Sequence, residues 1–124
     1  MVFRSLVCFL KKYLPADRAV TVRRTRLPAG EQGDCLQSTG CYKIRVDRRL
    51  NESHQIDVLL HEYGHTLAYE PEHGVAWGKA YARVYRTYLQ WLEWRSGTPA
   101  EAVYRPLRRV GHRNGSHRLR RRSA

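Results

Sequence analysis

Apolar residues at Phe3, Leu6, Val7, Leu10 and Leu14 recur at intervals of three and four, the spacing of one stripe on an α-helix, and Pro15 cannot extend that helix. Further on the period shortens to two. Val20 and Val22, in the run from Ala19 to Leu27, and Tyr42, Ile44 and Val46, in the run from Cys41 to Val46, alternate with their neighbours as strand residues do. Between these runs, Pro28-Ala29-Gly30-Glu31-Gln32-Gly33-Asp34 and Ser38-Thr39-Gly40 are turn formers. They predict a long connection, across which Cys35 and Cys41 can approach each other. The helical period returns after Asn51 or Ser53, either of which can cap a helix whose buried stripe is Ile56, Leu59, Leu60, Tyr63 and Leu67. Pro71 predicts its end near Glu70. Trp77, Tyr81, Val84, Tyr88, Trp91 and Leu92 mark a third helix that stops at Gly97, with its aromatic stripe in the core. Thr98-Pro99-Ala100-Glu101 has the form of a capping box and predicts a short helix up to Pro106.

Together these elements predict an α+β fold: an N-terminal helix, a small antiparallel sheet, a central helix and a long C-terminal packing helix. With 124 residues, 42% of them apolar, the chain can bury one modest core but not two. Residues 1–105 are read as the domain. Residues 106–124 lack apolar periodicity and are expected to be a disordered basic tail. The net charge of +12 is uneven, because eight arginines and no acids follow Glu101, which leaves +4 for the rest.

The chemistry lies in the central helix, at His61-Glu62-Tyr63-Gly64-His65. Two histidines four apart stand on one helix face, so both can direct a ring nitrogen to one ion about 2.0–2.1 Å away. That face is expected to lie off the buried stripe. Glu62 follows the first ligand and can act as general base on a water that zinc activates, without itself binding the metal. A catalytic zinc needs three protein ligands and an open position, so a third must exist. The metzincin pattern would require Gly at position 68 and His at position 71, where this chain has Ala68 and Pro71. His73, just past the helix-ending proline, is the candidate. Glu70, Glu72 and Glu93 remain alternatives, although Glu93 lies of the order of 30 Å along the third helix if that helix begins near Gly74.

His61-Glu62-Tyr63-Gly64-His65 followed by His73-Gly74-Val75-Ala76-Trp77 resembles the SprT-like zinc metallopeptidases, the Spartan-type family with small phage and bacterial members. The resemblance spans residues 41–95. It implies a zincin-like domain, Zn2+ on His61, His65 and His73, Glu62 as catalytic base, and the strand around Ile44 to Val46 beside a cleft that takes extended peptide. Seven residues separate His65 from His73, fewer than in many relatives, and Val75-Ala76 stand where Pro-Glu is common. A cysteine-rich ribbon found in some members has no counterpart here, so a DNA-repair role is not carried over.

The expected function is therefore metal-assisted hydrolysis of peptide bonds. The competing reading is a non-catalytic basic module that holds nucleic acid around a structural or vestigial zinc site, which would have no need of Glu62. A metal-dependent hydrolase of another bond is a third. Arg105, Arg108, Arg109, Arg113, Arg118, Arg120, Arg121 and Arg122 can follow a phosphate backbone and bring the enzyme to DNA-associated proteins. Tyr63, Tyr69, Tyr81 and Tyr85 are candidate oxyanion donors. His54, His112 and His117 read as surface histidines. The apolar centre of residues 1–12 is too short for a membrane span and lacks a cleavage site, so neither a membrane segment nor a signal peptide is expected. Cys8, Cys35 and Cys41 are then expected to be reduced thiols in a cytoplasmic protein, without an assigned role.

Overall fold

The computed structural model describes residues 2–69 and 73–97. The first helix, α1 (Val2–Tyr13), buries Phe3, Leu6 and Leu10, three members of the apolar stripe, and Leu14 closes the stripe just beyond its end. Three strands follow, β1 (Ala19–Thr25), β2 (Gly33–Gln37) and β3 (Cys41–Asp47), and then two long helices, α2 (Glu52–Leu67) and α3 (Val75–Ser96). The class is mixed α+β, as expected, but the sheet differs from the expectation in two ways.

Its strand order is β1-β3-β2. β3 sits in the middle, parallel to β1 from Ala19↔Cys41 to Thr25↔Asp47 and antiparallel to β2 from Gly33↔Val46 to Gln37↔Tyr42. The sheet is thus mixed, not antiparallel, because β2 inserts between β1 and β3 in sequence while pairing only with β3. The stretch read as connection also narrows. A turn at Pro28–Glu31, closed by the Glu31 amide on the Pro28 carbonyl (3.1 Å), places Gly30 at φ +86°, where glycine alone is unstrained. Gly33 then begins a strand. The Ser38 amide donates to the Cys41 carbonyl (2.9 Å) and closes the tight turn at Thr39–Gly40. All three cysteines are free thiols.

One face of the sheet packs on the helices. Val20, Cys35, Tyr42, Ile44 and Val46 join Phe3, Leu6, Leu10, Leu59, Leu60, Tyr63, Val84 and Trp91 in one buried cluster. The other face shows Thr21, Arg23 and Lys43 to solvent. Asp34 is fully buried at the β2 edge and accepts from Arg45 Nε on β3 (3.0 Å), a charge-assisted bond that fixes the hairpin.

α2 lies between the sheet and α3, with α1 against its flank. Asn51 caps it, its side-chain oxygen accepting from the His54 amide (2.8 Å). The helix ends at Leu67, three residues short of the expected end. α3 stops where expected, at Gly97, whose φ of +71° and amide bond to the Glu93 carbonyl (2.8 Å) make a left-handed cap. Among the described residues no helix is long and apolar enough to cross a membrane. The helix expected after Thr98, the boundary at residue 105 and the basic tail fall outside the described residues.

Candidate metal centre

Every residue from Val58 to Thr66 is buried, so α2 has no exposed face along the motif. This corrects the expectation that the histidine face lies off the buried stripe. His61 is 7% exposed, and Glu62 and His65 are 0% exposed, because α3 covers one side of the helix and β2 the other. Placing two imidazoles and a carboxylate in the interior costs stability unless something compensates, and a shared ion is one such compensation.

His73 comes to the same place from the segment that leads into α3. Ring centroids stand 5.3 Å apart for His61 and His65, 4.7 Å for His61 and His73, and 5.1 Å for His65 and His73. One ligand nitrogen from each lies within 4.8 Å of the others. In a tetrahedral zinc site three such nitrogens stand about 3.4 Å apart at bond lengths of about 2.0–2.1 Å, so small ring rotations bring this trio to coordination distance. The cluster can hold a metal ion, and its chemistry fits one: three neutral imidazoles, two of them anchored on a helix, with His73 exposed on the open side. Among the described residues no other three His, Cys, Asp or Glu are gathered in this way. Glu93 is exposed in the last turn of α3 and does not belong to the cluster, and Glu70 and Glu72 lie outside the described residues.

Glu62, beside His61 in the motif, lies against β2. A Cβ placed on Gly33 would stand 3.5 Å from Glu62 Cγ and only 2.3 Å from Val58 Cγ1. Gly33 therefore lets β2 lie directly on α2. Gly33 belongs to an edge strand, and Ile44 to Val46 lie beside it on the central strand.

Gly64 has an equally local reason. A Cβ there would meet Trp77 Nε1 at 3.1 Å, so the missing side chain makes room for the indole. Trp77 packs against all three histidines, at centroid distances of 5.0 Å from His61, 5.4 Å from His65 and 4.3 Å from His73. One turn later Tyr81 stacks on Trp77 at 5.0 Å and 9° and lies 6.3 Å from His61. Burial, and secondarily the Asp57 carboxylate, push the Tyr81 pKa up to about 12. Reading the whole aromatic stripe of α3 as core missed this wall. The signal was present, since residues 77 and 81 are the first of the stripe after His73 and so cannot avoid its neighbourhood.

Tyr63, inside the motif, faces away. Its hydroxyl donates towards the carbonyl of Leu14 (2.9 Å), just beyond the end of α1, and towards that of Leu10 (3.3 Å), which also accepts the Leu14 amide (2.8 Å). The Tyr69 hydroxyl donates to the Cys35 carbonyl (3.4 Å). His54 is half-buried at the start of α2, away from the motif's ligand set, while His112 and His117 lie outside the described residues.

No protein-family model, no curated protein and no solved structure matches the chain.

Proposed function

We propose that the chain is a zinc-dependent metallopeptidase with a zincin-like site of the SprT type, in which His61, His65 and His73 hold Zn2+ and Glu62 is the catalytic base. The observation that carries this reading is the convergence of His73 with the two motif histidines while Glu62 lies buried next to them and to the edge strand β2. Bound zinc supplies a Lewis acid that activates a water at neutral pH and polarises the scissile carbonyl. Glu62 takes the proton of the attacking water and passes it to the departing amine, and its low-dielectric surroundings strengthen both transfers. As an edge strand of the sheet, β2 is the strand to which an extended peptide would be added in this reading, beside Glu62. A purely structural site would have no use for that carboxylate. DNA-associated proteins are the substrate class to which the arginines of residues 105–122 point.

Elemental analysis and casein cleavage by wild type, Glu62→Gln and His73→Ala test the reading. Wild type is expected to hold one zinc and cleave, Glu62→Gln to hold zinc without cleaving, and His73→Ala to lose zinc. Free zinc at about 100 times its Kd should stabilise wild type by about 2.7 kcal/mol, and His73→Ala should abolish the gain. A wild type that takes up no zinc, or a Glu62→Gln variant that cleaves at the wild-type rate, ends the proposal.

A further inference from the structure

We propose that Tyr81 is a catalytic residue: its phenol donates a hydrogen bond to the oxygen of the scissile carbonyl as negative charge builds there. The inference rests on the metallopeptidase reading and names a group that this reading leaves open.

Of the four tyrosines the motif region offers, geometry removes two. Tyr63 is wholly buried and gives its hydroxyl to the Leu10 and Leu14 carbonyls. Tyr69 gives its own to the Cys35 carbonyl. Tyr85 stands a turn beyond Tyr81 on α3, its ring edge-on to Tyr81 at 5.7 Å and to Tyr88 at 6.0 Å. The Tyr81 ring lies 6.3 Å from that of the motif histidine His61. No side chain or carbonyl among the described residues takes its hydroxyl proton.

Its position is also fixed. Trp77 stacks on one face of the ring, nearly parallel at 9°, and Tyr85 meets it edge-on at 75°. Trp77 is held in turn by Gly64 and the three histidines. A donor locked in this way needs no reorganisation when charge develops, which is what makes such donors effective in a site that excludes water. The ring is half-buried, so the stack leaves part of the phenol open to a bound peptide.

The test compares zinc-loaded wild type, Tyr81→Phe and Tyr85→Phe as full chains on a fluorogenic peptide, together with the Kd of a phosphinic peptide that mimics the tetrahedral transition state. Tyr81→Phe is expected to lose of the order of 10²-fold in kcat with KM unchanged, and to lose phosphinate affinity in parallel. Zinc content and melting temperature should stay at wild-type values, since among the described residues the hydroxyl makes no hydrogen bond. Tyr85→Phe should keep wild-type kcat and phosphinate affinity. Wild-type kcat and phosphinate affinity in Tyr81→Phe overturn the assignment, as does a kcat loss that merely follows loss of zinc. If wild type cleaves and Glu62→Gln does not, such a result removes Tyr81 alone, whereas a wild type without zinc or cleavage removes both inferences.

Discussion

Replacing Gly33 by alanine puts a methyl group 2.3 Å from Val58 Cγ1 and 3.0 Å from the Arg45 carbonyl oxygen. The first contact is about 1 Å inside ordinary van der Waals distance, and neither partner can retreat. Val58 is fully buried in the middle of α2, and the Arg45 carbonyl belongs to the central strand. Overpacking of a tight core costs roughly 1–3 kcal/mol, and a clash against two fixed walls belongs at the top of that range. Replacing glycine within a strand returns about 0.5–1 kcal/mol of backbone entropy, so Gly33→Ala should cost about 2 kcal/mol net. In a domain of this size that lowers the melting temperature by roughly 8–16 °C. Val58→Ala removes the closer obstacle, so the two substitutions should couple, the double variant being about 1–2 kcal/mol more stable than the sum of the singles predicts. The remaining contact with Arg45 keeps the rescue incomplete. Calorimetry of the four proteins in the cycle decides the matter: additive effects, or a Gly33→Ala protein as stable as wild type, would show that β2 does not lie on α2 at this distance.

Two further stability measurements probe the ends of elements. Asn51→Ala removes the acceptor of the His54 amide and should cost about 1 kcal/mol, read as a lower urea midpoint at unchanged slope, whereas Asn51→Asp should retain wild-type stability; equal midpoints for the alanine variant and wild type would refute the cap. The Asp47 carboxyl is held below its ordinary pKa chiefly by side-chain hydrogen bonds from Arg49, and also by the Arg49 backbone amide, with burial opposing. A lowered folded pKa stabilises fully above the ordinary carboxylate value of about 3.9 and is lost as pH falls through the folded value. Wild type should therefore lose stability below about pH 4 more steeply than Asp47→Asn, and matching acid limbs for the two would contradict the assignment.

What could be read from the sequence depended on the range of the forces at work. The three helices were legible because Phe3, Leu6 and Leu10, Ile56, Leu59 and Leu60, and Val84, Tyr88 and Trp91 each state a local period that burial then confirms. The clustering of His73 with His61 and His65 was legible because two histidines four apart suggest a third partner, and in the sequence His73 follows closely on a proline that cannot extend the helix. β2 was not. Gly33 and Asp34 disfavour strands, and only pairing with β3, together with the Arg45 bond to Asp34, holds them there. Alternation likewise could not reveal that β1 runs parallel to β3, since parallel and antiparallel partners share a period of two. The burial of the motif face was hidden for another reason. Polar residues at 61, 62 and 65 look solvent-facing until α3 and β2 are placed over them.

The hydroxyl of Tyr63 has a consequence for anyone who would move this site to a different scaffold. Within His61-Glu62-Tyr63-Gly64-His65 the residues divide their work around the helix: histidines and glycine meet Trp77 and His73, Glu62 meets β2, and Tyr63 moors the helix to the carboxyl end of α1. A graft of the five letters alone would carry the reactive groups and leave behind the mooring that sets the helix's rotation about its own axis. A transplantable unit must include the carbonyls of Leu10 and Leu14, or a substitute for them, as well as the indole above Gly64. Engineered shortening of the amino-terminal helix would accordingly be felt as a change of aim among the histidines before it was felt as a loss of core.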